Sequence, residues 1–266
     1  MEAITGVFQK RSEAEDALHH VQEAGIPPDR ATLLTPGSAD EIARELRSVP
    51  TDTTEQPGMG KAIGALAGGG VGIAGGSLLI TLVPGIGPIS AVGLLGTAIL
   101  GAAGATAGAN VGGKVEDSVS QGLPEDEIFV YEDALRKGLS VVIALAENEH
   151  EASRLRELFR NLGAESVDAA REQWWIGLRS AEESRYAQTG RSFSADERFY
   201  RMGFEAALHS RMRCREFDQV SAEMDAALED VKRQHPQADV EEPFTRGYRR
   251  GREYYQELCD EGAQAA

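Results

Sequence analysis

Five histidines, two cysteines, a few adjacent carboxylates and one arginine cluster are the residues of this 266-residue chain whose types could support chemistry. His19 and His20 sit on a stretch already accounted for by its apolar face, and His150, His209 and His235 stand isolated among charged residues. None has a cysteine or carboxylate at a metal-ligand spacing that recurs elsewhere, so metal binding is not expected. Cys214 and Cys259 lie far apart in charged surroundings, a pattern of reduced thiols rather than of a disulfide. The run Gly68-Gly69-Gly70-Val71-Gly72 superficially looks like a phosphate loop, yet it lacks the P-loop lysine and its glycine rhythm extends well past any such loop. Glu125, Asp126 and Glu127 read as a helix start, with carboxylates near the positive end of the dipole, rather than as an acid–base pair. Arg246, Arg249, Arg250 and Arg252 could meet a phosphate or a lipid headgroup, although in so acidic a chain they are expected to pair with their own carboxylates. No catalytic constellation and no cofactor site emerges, and the expectation is a protein that is not an enzyme.

A formal charge of -16 argues against nucleic acid, whose phosphates would be repelled. Against that background the stretch from Gly60 to Gly113 stands apart, because between Lys61 and Lys114 there is no Asp, Glu, Lys or Arg. Gly60, Gly64, Gly68, Gly72 and Gly76 recur every fourth residue; Gly93, Thr97, Gly101, Ala105, Ala109 and Gly113 give a matching row, with Gly104, Gly108 and Gly112 beside it. On helices these rows form grooves bare of side chains, along which two backbones approach closely. Pro84-Gly85-Ile86-Gly87-Pro88 cannot continue a helix, so the spacing predicts two helical arms, Ala62 to Val83 and Ile89 to Gly113, folded into a hairpin. At about 1.5 Å per residue the first arm spans on the order of 30 Å, the thickness of a bilayer core. Lipid would hold such glycine-rich helices together, and the flanking lysines would put the open end in the cytoplasm. The leading expectation is therefore a hairpin anchored in the cytoplasmic membrane with a lipid bilayer as partner. The alternative is a soluble homo-oligomer in which hairpins from several subunits bundle.

Either side of the hairpin, the elements alternate. Ala3 to Phe8 reads as a strand, Ser12 to Ala24 as an amphipathic helix stopped by Gly25, and Ala31 to Thr35 as a second strand. Ser38 to Val49 reads as a short helix. Past the hairpin, Gly122-Leu123-Pro124 opens a helix carrying Ile128, Tyr131 and Leu135; Leu139 to Ala146 is the strongest strand and apolar enough to be central. Glu149 to Leu162 is an amphipathic helix, and Glu165 to Asp168 a last short strand. The order β–α–β, helix, β–α–β predicts an α+β protein with a ferredoxin-like α/β sandwich, the glycine-zipper hairpin inserted between its halves. The expected divisions are 1–57 and 121–170 for the α/β domain, 58–120 for the hairpin and 171–266 for a helical C-terminal domain. The N-terminus has neither a basic region nor a long apolar core, so no signal peptide is expected and the flanking domains should stay in the cytoplasm.

Ile4-Thr5-Gly6-Val7-Phe8, the turn Val83 to Pro88, Gly122-Leu123-Pro124-Glu125-Asp126-Glu127 with Tyr131-Glu132 and Leu135, and the strand Leu139 to Leu145 together resemble the general stress protein 17M-like (YflT-type) domain family, in its form with a glycine-rich hairpin inserted. The resemblance covers about the first 170 residues. It implies a role in general stress responses and supplies no catalytic residue.

From Arg171 the composition turns charged and aromatic. Tyr200-Arg201-Met202-Gly203-Phe204-Glu205-Ala206-Ala207 is repeated as Phe244-Thr245-Arg246-Gly247-Tyr248-Arg249-Arg250-Gly251. On helices, Gly203 with Ala207 and Gly247 with Gly251 would form flat patches that press together, with Phe217, Val220, Met224, Ala227 and Val231 on one face of a further helix. The expected role is structural or oligomerising. A small-molecule sensor is a third expectation, resting only on the use that such sheets make of ligands.

Overall fold

The structure is a computed structural model and describes residues 1–37, 78–83, 87–92, 124, 126–209, 212 and 217–265. Its architecture is mixed, α+β. Strand β1 (Glu2–Phe8), helix α1 (Arg11–Glu23) and strand β2 (Ala31–Pro36) come first, then β3 (Leu78–Val83) and β4 (Gly87–Val92). Helix α2 (Ile128–Arg136), β5 (Ser140–Ala146), α3 (Glu149–Asn161) and β6 (Glu165–Ser166) follow, and four helices close the chain: α4 (Val167–Tyr186), α5 (Phe193–Leu208), α6 (Phe217–Gln234) and α7 (Glu241–Ala265).

The strands form one sheet in the order β3-β4-β2-β5-β1-β6, and every neighbouring pair is antiparallel. Strand β5 is buried along its whole length, with β2 on one side and β1 on the other. Its continuous apolar run is what a strand covered on both faces requires. Alternate residues divide between two cores. Val142, Ala144 and Ala146 join Ala14, Ala17 and Val21 of α1 and Leu155 and Phe159 of α3, while Val141 and Ile143 join Leu34, Ile128, Tyr131 and Leu135. The expected last strand is shorter than its composition suggests: β6 is two residues long, and the Ser166 hydroxyl accepts from the Ala169 backbone N–H at 3.2 Å to start α4 at Val167. The acids Asp126 and Glu127 likewise precede α2, whose first residue is Ile128.

The helical hairpin is overturned beside its turn. Leu78–Val83 and Ile89–Val92, expected as the inner ends of two helices, and Gly87 and Pro88, expected in the turn, instead form an antiparallel β-hairpin in the register Val83↔Gly87 to Leu78↔Val92. Strand β4 then docks on β2, from Leu33↔Val92 to Pro36↔Ile89, which extends the sheet rather than leaving it for a separate layer. The reason is local. The four-residue glycine row stops at Gly76 and resumes at Gly93, and the glycine-free run Leu-Leu-Ile-Thr-Leu-Val between them has the composition of a strand. Pro88 pairs with Leu82 near the turn end of the β3–β4 ladder and lies beyond the β2–β4 register, which ends at Ile89. The segment that would complete the first membrane span is therefore sheet, and among the described residues no helix is long and apolar enough to cross a membrane. The expected transmembrane helices fall with that finding. Gly60, Gly64, Gly68, Gly72, Gly76, Gly93, Gly101, Gly104, Gly108 and Gly112, the turn residues Pro84 and Gly85, and the expected helix Ser38 to Val49 lie outside the described residues; Gly87 and Pro88 open β4.

Helix α2 is the wall between the two parts of the molecule. Ile128, Tyr131, Ala134 and Leu135 face the sheet, whereas Phe129 and Val130 enter a second core with Trp174, Trp175, Tyr186, Phe193, Tyr200, Phe204 and Leu208. Aromatic edges fill that core: Trp174 lies 4.8 Å from Phe129 and 5.8 Å from Phe204 between ring centroids.

Candidate functional site: an arginine-rimmed cleft

The closest helix pairing of the C-terminal part sets up the site. Helices α5 and α7 cross where the repeated motifs meet: a Cβ placed on Gly203 would lie 2.0 Å from the Phe244 carbonyl oxygen, and one on Gly247 1.9 Å from that of Tyr200. Only hydrogen fits at these two positions. The backbones can therefore touch as the repeat predicts, and Tyr200 on α5 and Arg250 on α7 reach the same carboxylate, Glu182.

Beneath the crossing lies a buried polar network. Glu182, 1% exposed on α4, accepts from the Tyr200 hydroxyl at 2.8 Å and from Arg250 Nε at 3.1 Å. The terminal nitrogens of Arg250 reach Glu257 at 3.2 and 3.1 Å. A second network lies alongside: Tyr186 donates to Asp196 at 2.8 Å, Arg191 clamps the same carboxylate through Nε at 2.7 Å, and Arg191 also reaches Asp239 at 2.8 Å. Burial and then the hydrogen bond to Asp196 push the Tyr186 phenol up to about 12. Burial, then the charge of Glu182, drives Tyr200 up as well. Both phenols stay protonated and hold their carboxylates. The Arg191 hydrogen bond keeps Asp196 below the ordinary carboxylate range although burial opposes it.

Over this floor opens a cleft of about 240 Å³ lined by Arg185, Tyr186, Thr189, Tyr200, Arg246, Arg249, Arg250 and Glu253. Local backbone shapes its edge. Helix α4 tightens into the 3₁₀ turn Ala187–Thr189, and Gly190, at φ 76°, takes the left-handed conformation that turns the chain into Arg191. Of the four lining arginines, Arg250 is spent on Glu182 and Glu257, and Arg246 is bonded to Glu242 one turn back. Arg185 and Arg249 are exposed on the rim and have no ion pair among the described residues. Two guanidinium forks facing one cleft can bind a planar or tetrahedral oxyanion through paired N–H bonds.

The arginine cluster read in the sequence is thus divided. Arg246 and Arg250 pair with their own carboxylates as expected, Arg249 does not, and Arg252 is not among the lining residues. Sequence reasoning missed Arg185, Thr189, Tyr186 and Glu182. The signal that could have found Glu182 is weak: one glutamate in the acidic run Ala181-Glu182-Glu183, placed eight residues after Trp174 on a helix. Among the described residues no group of three His, Cys, Asp or Glu side chains is placed to hold a metal ion. Comparison with protein-family models, with curated proteins and with solved structures finds no match to this chain.

Proposed function

We propose that the protein is a non-enzymatic, stress-associated binding module that takes a small anionic ligand in the cleft between α4, α5 and α7. The observation that carries this reading is the pair of guanidinium groups, Arg185 and Arg249, that have no ion pair among the described residues and lie over a hydrogen-bonded polar floor in a protein of charge -16. So acidic a chain has carboxylates to spare for surface arginines, and two cations left over at one hollow are best explained by an anion from outside. The buried carboxylates below, Glu182 and Asp196, each accept from an arginine and a phenol, which commits them to the floor rather than to proton transfer. The order β2-β5-β1-β6 of the four outer-half strands, with α1 and α3 on one face, supports a ferredoxin-like sandwich as the platform. The stress context rests on the residues of the family resemblance, and the reading assigns the module to the cytoplasm, in keeping with its two expected free thiols.

Calorimetric titration of the full chain at low ionic strength with inorganic phosphate and with sugar phosphates tests the reading. Saturable heat is expected, weakened about tenfold or more by Arg249→Gln or Arg185→Gln, the scale of a lost charge-assisted bond. Absence of heat with every phosphate compound, or binding indifferent to both substitutions, would remove the reading.

A further inference from the structure

The cleft is not uniformly basic, and its second character narrows the ligand. Glu253 stands on the same rim as Arg249, its side chain 55% exposed and its nearest recorded cation, Arg250, at 3.7 Å. Tyr186 and Tyr200 give their only protons to Asp196 and Glu182, so towards a ligand these phenol oxygens can only accept. Thr189 Oγ1 already accepts from the Arg191 backbone N–H at 3.3 Å and keeps its own proton to donate. The lining therefore combines two cationic forks with a carboxylate, two acceptor oxygens and one hydroxyl donor. A bare inorganic anion satisfies the first set and is repelled by Glu253. A ligand with an anionic end and several hydroxyl donors satisfies both. Size points the same way, since about 240 Å³ is below the roughly 300–1,000 Å³ of sites for drug-sized ligands.

Resting on the anion-binding reading above, we infer that the ligand is the phosphate monoester of a small polyhydroxylated compound, a sugar phosphate, with the phosphate between Arg185 and Arg249 and a hydroxyl donating to Glu253. Glu253 is then the residue that tells the ester from the free ion. A hydrogen bond to a charged group contributes about 1.5–3 kcal/mol, which corresponds to roughly 10- to 100-fold in affinity.

The test titrates the full chain with glucose 6-phosphate, inorganic phosphate, glucose and phosphoethanolamine, repeating the series on Glu253→Gln and Arg249→Gln. Both substituted residues lie at the rim, and the fluorescence of Trp174 and Trp175 in the adjoining core reports whether each variant is folded. Glucose 6-phosphate is expected to bind at least about tenfold more tightly than phosphate. Glu253→Gln should bring the ester close to the level of the ion while leaving the ion as tight or tighter, and Arg249→Gln should weaken both. Equal affinity for ester and ion, unchanged by Glu253→Gln, overturns the sugar phosphate and leaves the anion cleft standing. Tighter binding of phosphoethanolamine than of glucose 6-phosphate overturns it in favour of an amine on Glu253. No binding by any phosphate compound removes both proposals together.

Discussion

Replacing Gly247 by alanine inserts one methyl group where α5 and α7 have no room for it. The added carbon would stand 1.9 Å from the Tyr200 carbonyl oxygen and 2.7 Å from its carbonyl carbon, whereas ordinary contact begins at 3.4 Å. Both obstacles are backbone, so no rotamer change relieves them, and the helices must separate by roughly 1.5 Å. A gap of 0.5–1 Å already forfeits about a quarter to a half of each dispersion contact across it. Phe204, Ala207, Phe244 and Tyr248 lose packing together, and the Glu182–Arg250 bond stretches because Arg250 rides on α7 while Glu182 stays on α4. Overpacking ordinarily costs about 1–3 kcal/mol; a clash of backbone with backbone at the centre of a helix pair belongs at or above the top of that range, and we expect at least about 3 kcal/mol. Urea unfolding followed by tryptophan fluorescence reads this directly, since both tryptophans, Trp174 and Trp175, lie in the affected half. Gly203→Ala should cost a similar amount, its methyl meeting Phe244 and the Tyr248 N–H from the other side. The double variant should cost less than the two separate costs combined, because one opening admits both methyls. Gly177→Ala on α4 is the control: an added Cβ meets nothing within 4 Å, so helix propensity should stabilise by about 0.5–1 kcal/mol. Losses below about 1 kcal/mol at both crossing glycines, or strict additivity, would refute the close-contact argument.

Two further substitutions probe the buried charges. Glu182→Ala leaves Arg250, 8% exposed, without the partner inside the core and should cost about 3–5 kcal/mol in the same urea assay; Glu182→Leu combined with Arg250→Met should recover part of it, since replacing a buried pair by apolar groups costs less than breaking it. Burial raises the pKa of Glu127, outweighing the hydrogen bond it accepts from Tyr131 at 2.6 Å. The folded protein thus holds that proton more tightly than the unfolded chain does, so stability is greatest below the unfolded value of 4.5 and declines as pH rises through the folded one. Glu127→Gln, whose amide oxygen can still accept from Tyr131, should raise the denaturation midpoint at pH 7 and flatten its dependence between pH 4 and 7; a lower midpoint at pH 7 would count against the burial argument.

What the sequence discloses depends on how local its cause is. The apolar run of β5 and the four-residue spacing of Gly203, Ala207, Gly247 and Gly251 are written within a few residues of one another, and both are seen in the packing. Leu78–Val83 departs from the expected helix because the glycine rows on either side impose a helical period that this run does not share; it pairs with β4, and β4 in turn docks on β2. The cleft is harder still. Arg185 on α4 and Arg249 on α7 are 64 positions apart and line one cleft only through tertiary packing, so no spacing on the chain connects them. Glu182 reads as solvated surface until Tyr200 of α5 and Arg250 of α7 bond to it.

Helix α2 leaves one last consequence. Because Phe129 and Val130 are buried in one cluster with aromatic residues of the C-terminal helices, shortening the protein after residue 170 would turn a ring and a branched side chain of α2 towards water. Each part thus completes the other's apolar surface, and neither would keep its fold unchanged alone.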